Sequence, residues 1–120
     1  MSDKIKLDTK ALDELRDLQR EAGSDLLQRL LQSYLNTTPQ LLEDIRKGMV
    51  NQNANAVYAS AHSLKSSSAY VGATAISELA QQLEAICLAG SLQGVEAVVQ
   101  ELENVYQHVE ALLREEMERG

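Results

Sequence analysis

Apolar residues recur along this chain in steps of three and four, in one segment after another. That spacing places side chains on one face of a 3.6-residue helix, so each segment reads as an amphipathic helix. Leu12, Leu15 and Leu18 form the first stripe, with Asp8 placed to cap it and Gly23 to stop it. Ser24 is the expected cap of a second, longer helix, in which Leu27, Leu30, Leu31, Tyr34 and Leu35 make one stripe and Leu41, Leu42, Ile45 and Met49 another. Pro39 lies between the two stripes, removes one helical hydrogen bond and disfavours helical geometry at Thr38. No Gly-rich turn accompanies it, so the expectation is one long kinked helix.

Asn53 is the expected cap of a third helix spanning Ala54 to Tyr70 and ending at Gly72. A fourth carries Ile76, Ala80, Leu83 and Cys87 along one face, flanked by Leu79 and Ile86, and closes on Gly90. From Leu92 onward, Val95, Val98, Leu102, Val105, Val109 and Leu112 repeat the pattern to near the C-terminus. Connections this short make consecutive helices pack antiparallel. The predicted fold is therefore all-α: a four-helix bundle with an additional short N-terminal helix, one domain over residues 1–120.

Composition supports that reading and narrows the partners. Residues of the AVILMFWYC set make up 44% of the chain and charged residues 24%, which is the balance of a globular domain rather than of a disordered one. Phe and Trp are absent and Pro occurs once, so strand formers are scarce. A net charge of -7 leaves no basic footprint for phosphates, which excludes nucleic acid and anionic membranes as expected partners. Cys87 is the single cysteine, the N-terminus lacks an apolar signal core, and no stretch nears membrane-spanning length. A cytoplasmic monomer that meets other proteins is the expectation. The initiating Met and the full set of bundle helices suggest a free-standing protein.

The chemistry concentrates in "AHSLKSSSAYVGA", residues 61 to 73. Val57, Ala61, Leu64, Ser68 and Val71 fall in a stripe that must face the core, and His62 lies about 130° away from it. Its helical neighbours are Tyr58, Lys65, Ser66 and Ala69. Ser66 and Ala69 are small, so a second protein can bring a reactive group onto the ring. An ammonium at Lys65 disfavours a protonated imidazole and favours an anion attached to it. The pattern suits a neutral nucleophile that becomes negatively charged, as in phosphorylation of a ring nitrogen. The plain alternative, a solvated histidine beside a commonplace lysine, stays open on spacing alone.

The remaining candidates carry less. Cys87 sits on an apolar face, where a buried inert thiol is the ordinary outcome. His108 borders the last helix's stripe without a lysine or a clearing of small residues, and reads as a partly exposed structural histidine. Neither histidine follows Glu by three positions, which removes the di-iron bundle, and no metal site is expected. Ser66 to Ser68 have no base placed to activate them. No P-loop or Gly-rich nucleotide loop is present, so there is no kinase ATP site.

Ala61, His62, Ser63, Leu64 and Lys65, followed by Val71, Gly72 and Ala73, resemble the signature of histidine-containing phosphotransfer (HPt) domains. Thr38 to Leu42 resemble the family's "TPxLL" region, and Gln82, Leu83 and Glu84 its "QLE". The resemblance implies that His62 accepts the phosphoryl group through Nε2, that Lys65 supports the phosphate, and that Glu84 on the next helix orients the ring. It implies a carrier rather than a multiple-turnover enzyme, with no cofactor of its own and Mg²⁺ on the partner. The implied partners are response-regulator receiver domains and a hybrid sensor kinase, met on a surface of Tyr58, Ser66, Ala69, Gln81 and Leu88 around the histidine, with Gly72 structural. One departure stands out: the family's usual Gly four residues after the histidine is Ser66 here. It leaves room for an alternative, a non-catalytic helical module that sequesters a receiver.

Overall fold

A computed structural model describes residues 5–119. Their regular structure is five helices: α1 (Lys10–Ala22), α2 (Leu26–Val50), α3 (Ala54–Tyr70), α4 (Thr74–Leu88) and α5 (Val95–Arg119). The expected all-α arrangement is found. α3 packs most extensively on α4 and α2, and α5 closes the ring against both α4 and α2, while α1 lies on α2. Leu31, Ile45, Leu64, Ile76, Leu83 and Leu102 fill the shared interior. Burying each side chain of this kind contributes about 1.5–3 kcal/mol. No helix among the described residues is long and apolar enough to cross a membrane.

The helix ends show where local chemistry overrode the simple pattern. Asn53 caps α3 as expected, accepting a hydrogen bond from the Ala56 N–H at 3.1 Å. α1 begins at Lys10 rather than directly after Asp8, although Asp8 Oδ1 still accepts from the Lys10 N–H at 3.2 Å. Ser24 is not the cap of α2, because its N–H closes the end of α1 on the Gln19 carbonyl. The buried Gln19 side chain takes over the capping task and accepts from the Leu27 N–H at 2.9 Å. α2 runs as one helix through the exposed Pro39, with the buried Thr38 hydroxyl donating to the Tyr34 carbonyl at 2.7 Å.

α5 starts at Val95, three residues later than its first apolar position at Leu92. Ser91 Oγ accepts from the Gln93 N–H at 3.0 Å, a local bond that competes with helix in this loop. Val95, Leu102, Val105 and Val109 of the expected α5 stripe are buried, but at two positions the next residue takes the core place: Val99 and Leu113 are fully buried, while Val98 and Leu112 are half-buried. The cause is that α5 packs on two neighbours at once, which widens its buried face to include Tyr106.

Two arginines join helices distant in sequence. Arg46 of α2 grips Glu103 of α5 through two bonds of 2.8 and 2.7 Å and reaches Glu96 at 3.0 Å. The Arg46 guanidinium holds the Glu103 carboxyl below the usual carboxylate range, more strongly than partial burial raises it. Arg16 of α1 donates to Glu116 Oε1 of α5 at 2.6 Å and fastens the first helix across the bundle.

Gly72 ends the third helix at φ +82° and its carbonyl accepts from the Asp8 N–H at 2.8 Å. A Cβ at this position would lie 2.0 Å from the Asp8 carbonyl oxygen, so only glycine lets the N-terminal segment pass. Gly72→Ala should therefore cost about 1–3 kcal/mol through strain and the lost contact, and lower Tm by roughly 5 °C or more. Thermal unfolding followed by circular dichroism checks it, and an unchanged Tm would contradict the steric account.

Candidate functional site

Packing dictates which way α3 turns. Val57, Ala61, Leu64, Ser68 and Val71 are all buried, and the hydroxyls of Ser68 and Tyr34 share a hydrogen bond of 2.7 Å that pins α3 to α2. With that stripe inward, the His62 side chain stays 57% exposed. Tyr58, one turn earlier, lies parallel to its ring, with centroids 6.0 Å apart and planes 9° apart.

α4 supplies the partner of the ring. Its stripe of Ile76, Ala80, Leu83 and Cys87 faces inward, and Glu84 sits at the edge of that stripe against α3 with its side chain only 8% exposed. Glu84 Oε2 is 2.6 Å from His62 Nδ1, and Oε1 is 2.7 Å from Lys65 Nζ. Burial alone would raise the Glu84 carboxyl, but hydrogen bonds from Lys65 and His62 outweigh it and leave the carboxyl below its ordinary value. The group is therefore an anion, which can only accept.

That sign fixes the imidazole. An ionised carboxylate 2.6 Å from Nδ1 requires the proton on Nδ1, so in the neutral ring the lone pair belongs to Nε2. Nε2 makes no hydrogen bond to the protein among the described residues, on a ring open to solvent. The site thus presents a nucleophilic nitrogen outward with its other nitrogen anchored to a second helix.

The structure brings His62, Lys65, Glu84 and Tyr58 together. Lys65 is found on Glu84 rather than directly against the imidazole, so the carboxylate lies between the two. Ser66 and Ala69 on α3, and Gln81 and Leu88 on α4, are exposed, with Leu88 at 73%. Ser77, which the pattern did not single out, donates its hydroxyl to the Lys65 carbonyl at 3.0 Å and ties α4 to α3 beside the site. Its position seven residues before Glu84, on the same helical face, was the available signal.

Elsewhere, Cys87 is buried and burial pushes its thiol up, in keeping with an inert core thiol. His108 is exposed instead of bordering the core, while its neighbours Val105, Tyr106 and Val109 take the buried positions of α5. No group of three or more His, Cys, Asp or Glu among the described residues is arranged to hold a metal ion.

A family model described as "Hpt domain" matches residues 29–115. Among solved structures, histidine-containing phosphotransfer protein B (HptB) from Pseudomonas aeruginosa PAO1 is similar in fold, with a TM-score of 0.84 at 24% identity over 95% of this chain and 96% of that one. Comparison with curated proteins gives no match.

The Glu84 bonds should register in the pH dependence of stability. A carboxyl lowered by folding stabilises fully above its ordinary value of 4.5, and that contribution disappears as pH falls through the lower folded value. Glu84→Gln should destabilise at neutral pH by about 1 kcal/mol or more, with the gap to wild type narrowing at about pH 3. Urea unfolding at the two pH values measures this, and a gap independent of pH would contradict it.

Proposed function

The chain belongs to the Hpt domain family, and from that premise we propose that it is a phosphoryl carrier in a two-component phosphorelay, with His62 as the acceptor. One observation carries the proposal: the 2.6 Å bond between His62 Nδ1 and the buried Glu84 carboxylate, which leaves Nε2 as the free nucleophile. In the inward step Nε2 attacks the phosphorus of a receiver's aspartyl phosphate, the N–P bond forms, and the P–O bond breaks to return a carboxylate to the receiver. The outward step is the same reaction run onto a second receiver.

Each neighbour has a part. Lys65 donates one of its three N–H groups to Glu84 and has the others available for phosphoryl oxygens. Ser66 and Ala69 keep the approach to the ring low, and together with Tyr58, Gln81 and Leu88 they form the proposed receiver-docking face. The protein itself contributes no metal chemistry in this reading, and Mg²⁺ belongs to the receiver. The solved HptB bears the name of a phosphotransfer protein, which favours a carrier here over the alternative of a module that only sequesters a receiver. Receiver domains and a hybrid kinase place the proposed working site in the cytoplasm, with the chain acting as a monomer.

Incubation with a phosphorylated receiver and Mg²⁺ should give acid-labile, alkali-stable label on the wild type. His62→Gln should abolish the label with the fold intact, since the side chain is exposed. Label persisting in that variant would contradict the assignment. Lys65→Ala should slow transfer roughly tenfold, the loss of one charge-assisted hydrogen bond in the transition state. Quench-flow transfer rates test this, and rates equal to wild type would remove Lys65 from the mechanism.

A further inference from the structure

The end of the bundle where α2 turns into α3 carries a cleft that the chemistry at His62 does not use. Its volume is about 370 Å³, at the low end for ligand sites, which suits one long side chain better than a nucleotide. Met49 near the end of α2, Ala54 at the start of α3 and Leu92 in the loop before α5 give it an apolar lining, each half-buried. Gln52 and Glu96 add polar groups, and Gly90 and Gly94 border it with bare backbone. The turns that form its walls are tied down. The Asn53 N–H donates to the Gly48 carbonyl at 2.8 Å, the Gly90 N–H to that of Cys87 at 3.0 Å, and the Val95 N–H to that of Leu92 at 3.1 Å. An occupant therefore meets a preformed cleft and has little chain to order.

The charge beside the cleft is unbalanced. Arg46 meets two carboxylates, Glu103 at 2.7 Å and Glu96 at 3.0 Å, so one negative charge is left over. Glu96 is 62% exposed, and its carboxylate has acceptor positions beyond those that Arg46 uses. Arg46 opposes an incoming cation, but the two carboxylates outnumber it. An apolar lining beside an anionic edge complements a lysine or arginine, which has an aliphatic stem and a cationic head. The net charge of -7 adds a field of the same sign at longer range.

The cleft also adjoins the face on which a receiver would dock. Ala54 lies one turn before Tyr58 on α3, and Gly90 lies two residues beyond Leu88 of α4. Tyr58 and Leu88 belong to the proposed docking face, so the cleft continues that face toward α5. We propose that a receiver docked over His62 inserts a lysine or arginine side chain here, with its stem on Met49, Ala54 and Leu92 and its charge on Glu96. Ala54 is about 12 Å from His62 along α3, so the contact selects the partner without touching the reacting atoms. The proposal rests on the reading of this chain as a phosphoryl carrier.

The test is the rate of transfer to the full chain, measured against the concentration of a phosphorylated receiver that labels the wild type. Glu96→Gln should raise the half-saturating receiver concentration about fivefold at low salt, and by much less at about 0.5 M NaCl, where screening is short-ranged. Ala54→Leu, which fills the cleft without changing charge, should raise it at both salt concentrations. Both variants should keep the wild-type maximal rate and the wild-type labelling of His62 by phosphoramidate. Half-saturation unchanged in Glu96→Gln would overturn the basic side chain, and half-saturation unchanged in a folded Ala54→Leu would overturn its insertion, each leaving the carrier reading intact. Should Ala54→Leu not fold, Glu96→Gln decides alone. A His62 that no phosphorylated receiver labels brings down both readings.

Discussion

A carboxylate buried between two helices must be met by donors, and Glu84 is met by two, the imidazole of His62 and the ammonium of Lys65. Left unpaired, a buried charge of this kind would cost several kcal/mol. Paired, it joins the C-terminal half of α4 to the middle of α3 and sets which nitrogen of the imidazole holds the proton. One interaction thus couples the packing of the bundle to the chemistry at its surface.

The rest of the molecule keeps that contact in register. The Ser68 and Tyr34 hydroxyls fix the rotation of α3 on α2, and Ser77 fixes α4 against the Lys65 carbonyl. Gly72 turns the chain between α3 and α4 and anchors the N-terminal segment at Asp8. Arg46 closes α2 on α5 from outside. Because the core stripe of α3 is satisfied by apolar contacts and one hydroxyl pair, His62 is left on the outer face with no burial penalty. The small residues after it then matter as absent obstacles: their packing energy is slight, and the space they leave is what a receiver would need.

Legibility in the sequence followed the range of the interaction. α3 was readable to its boundaries because its cap, Asn53, its inward stripe and its stop, Gly72, are all local signals. The neighbours of His62 were readable from helical spacing, whereas Glu84 was indicated by the resemblance to HPt domains. What spacing could not show was that one carboxylate would accept from both His62 and Lys65, since that depends on the approach of α4 to α3. Gln19 as the cap of α2, and the Arg16–Glu116 and Arg46–Glu103 pairs, were hidden for the same reason. Two positions of the α5 stripe, Val98 and Leu112, were misjudged against Val99 and Leu113 because a helix packed on two neighbours buries a wider face than a periodic pattern marks.

The most direct test of the account is the tautomer of His62 in the unphosphorylated protein, read by long-range ¹H–¹⁵N correlation at a pH where the ring is neutral. The account predicts the proton on Nδ1 and a bare Nε2, opposite to the usual preference of free histidine. A proton on Nε2 would turn the Nδ1 lone pair toward the Glu84 carboxylate, and would contradict both the bond and the chemistry built on it.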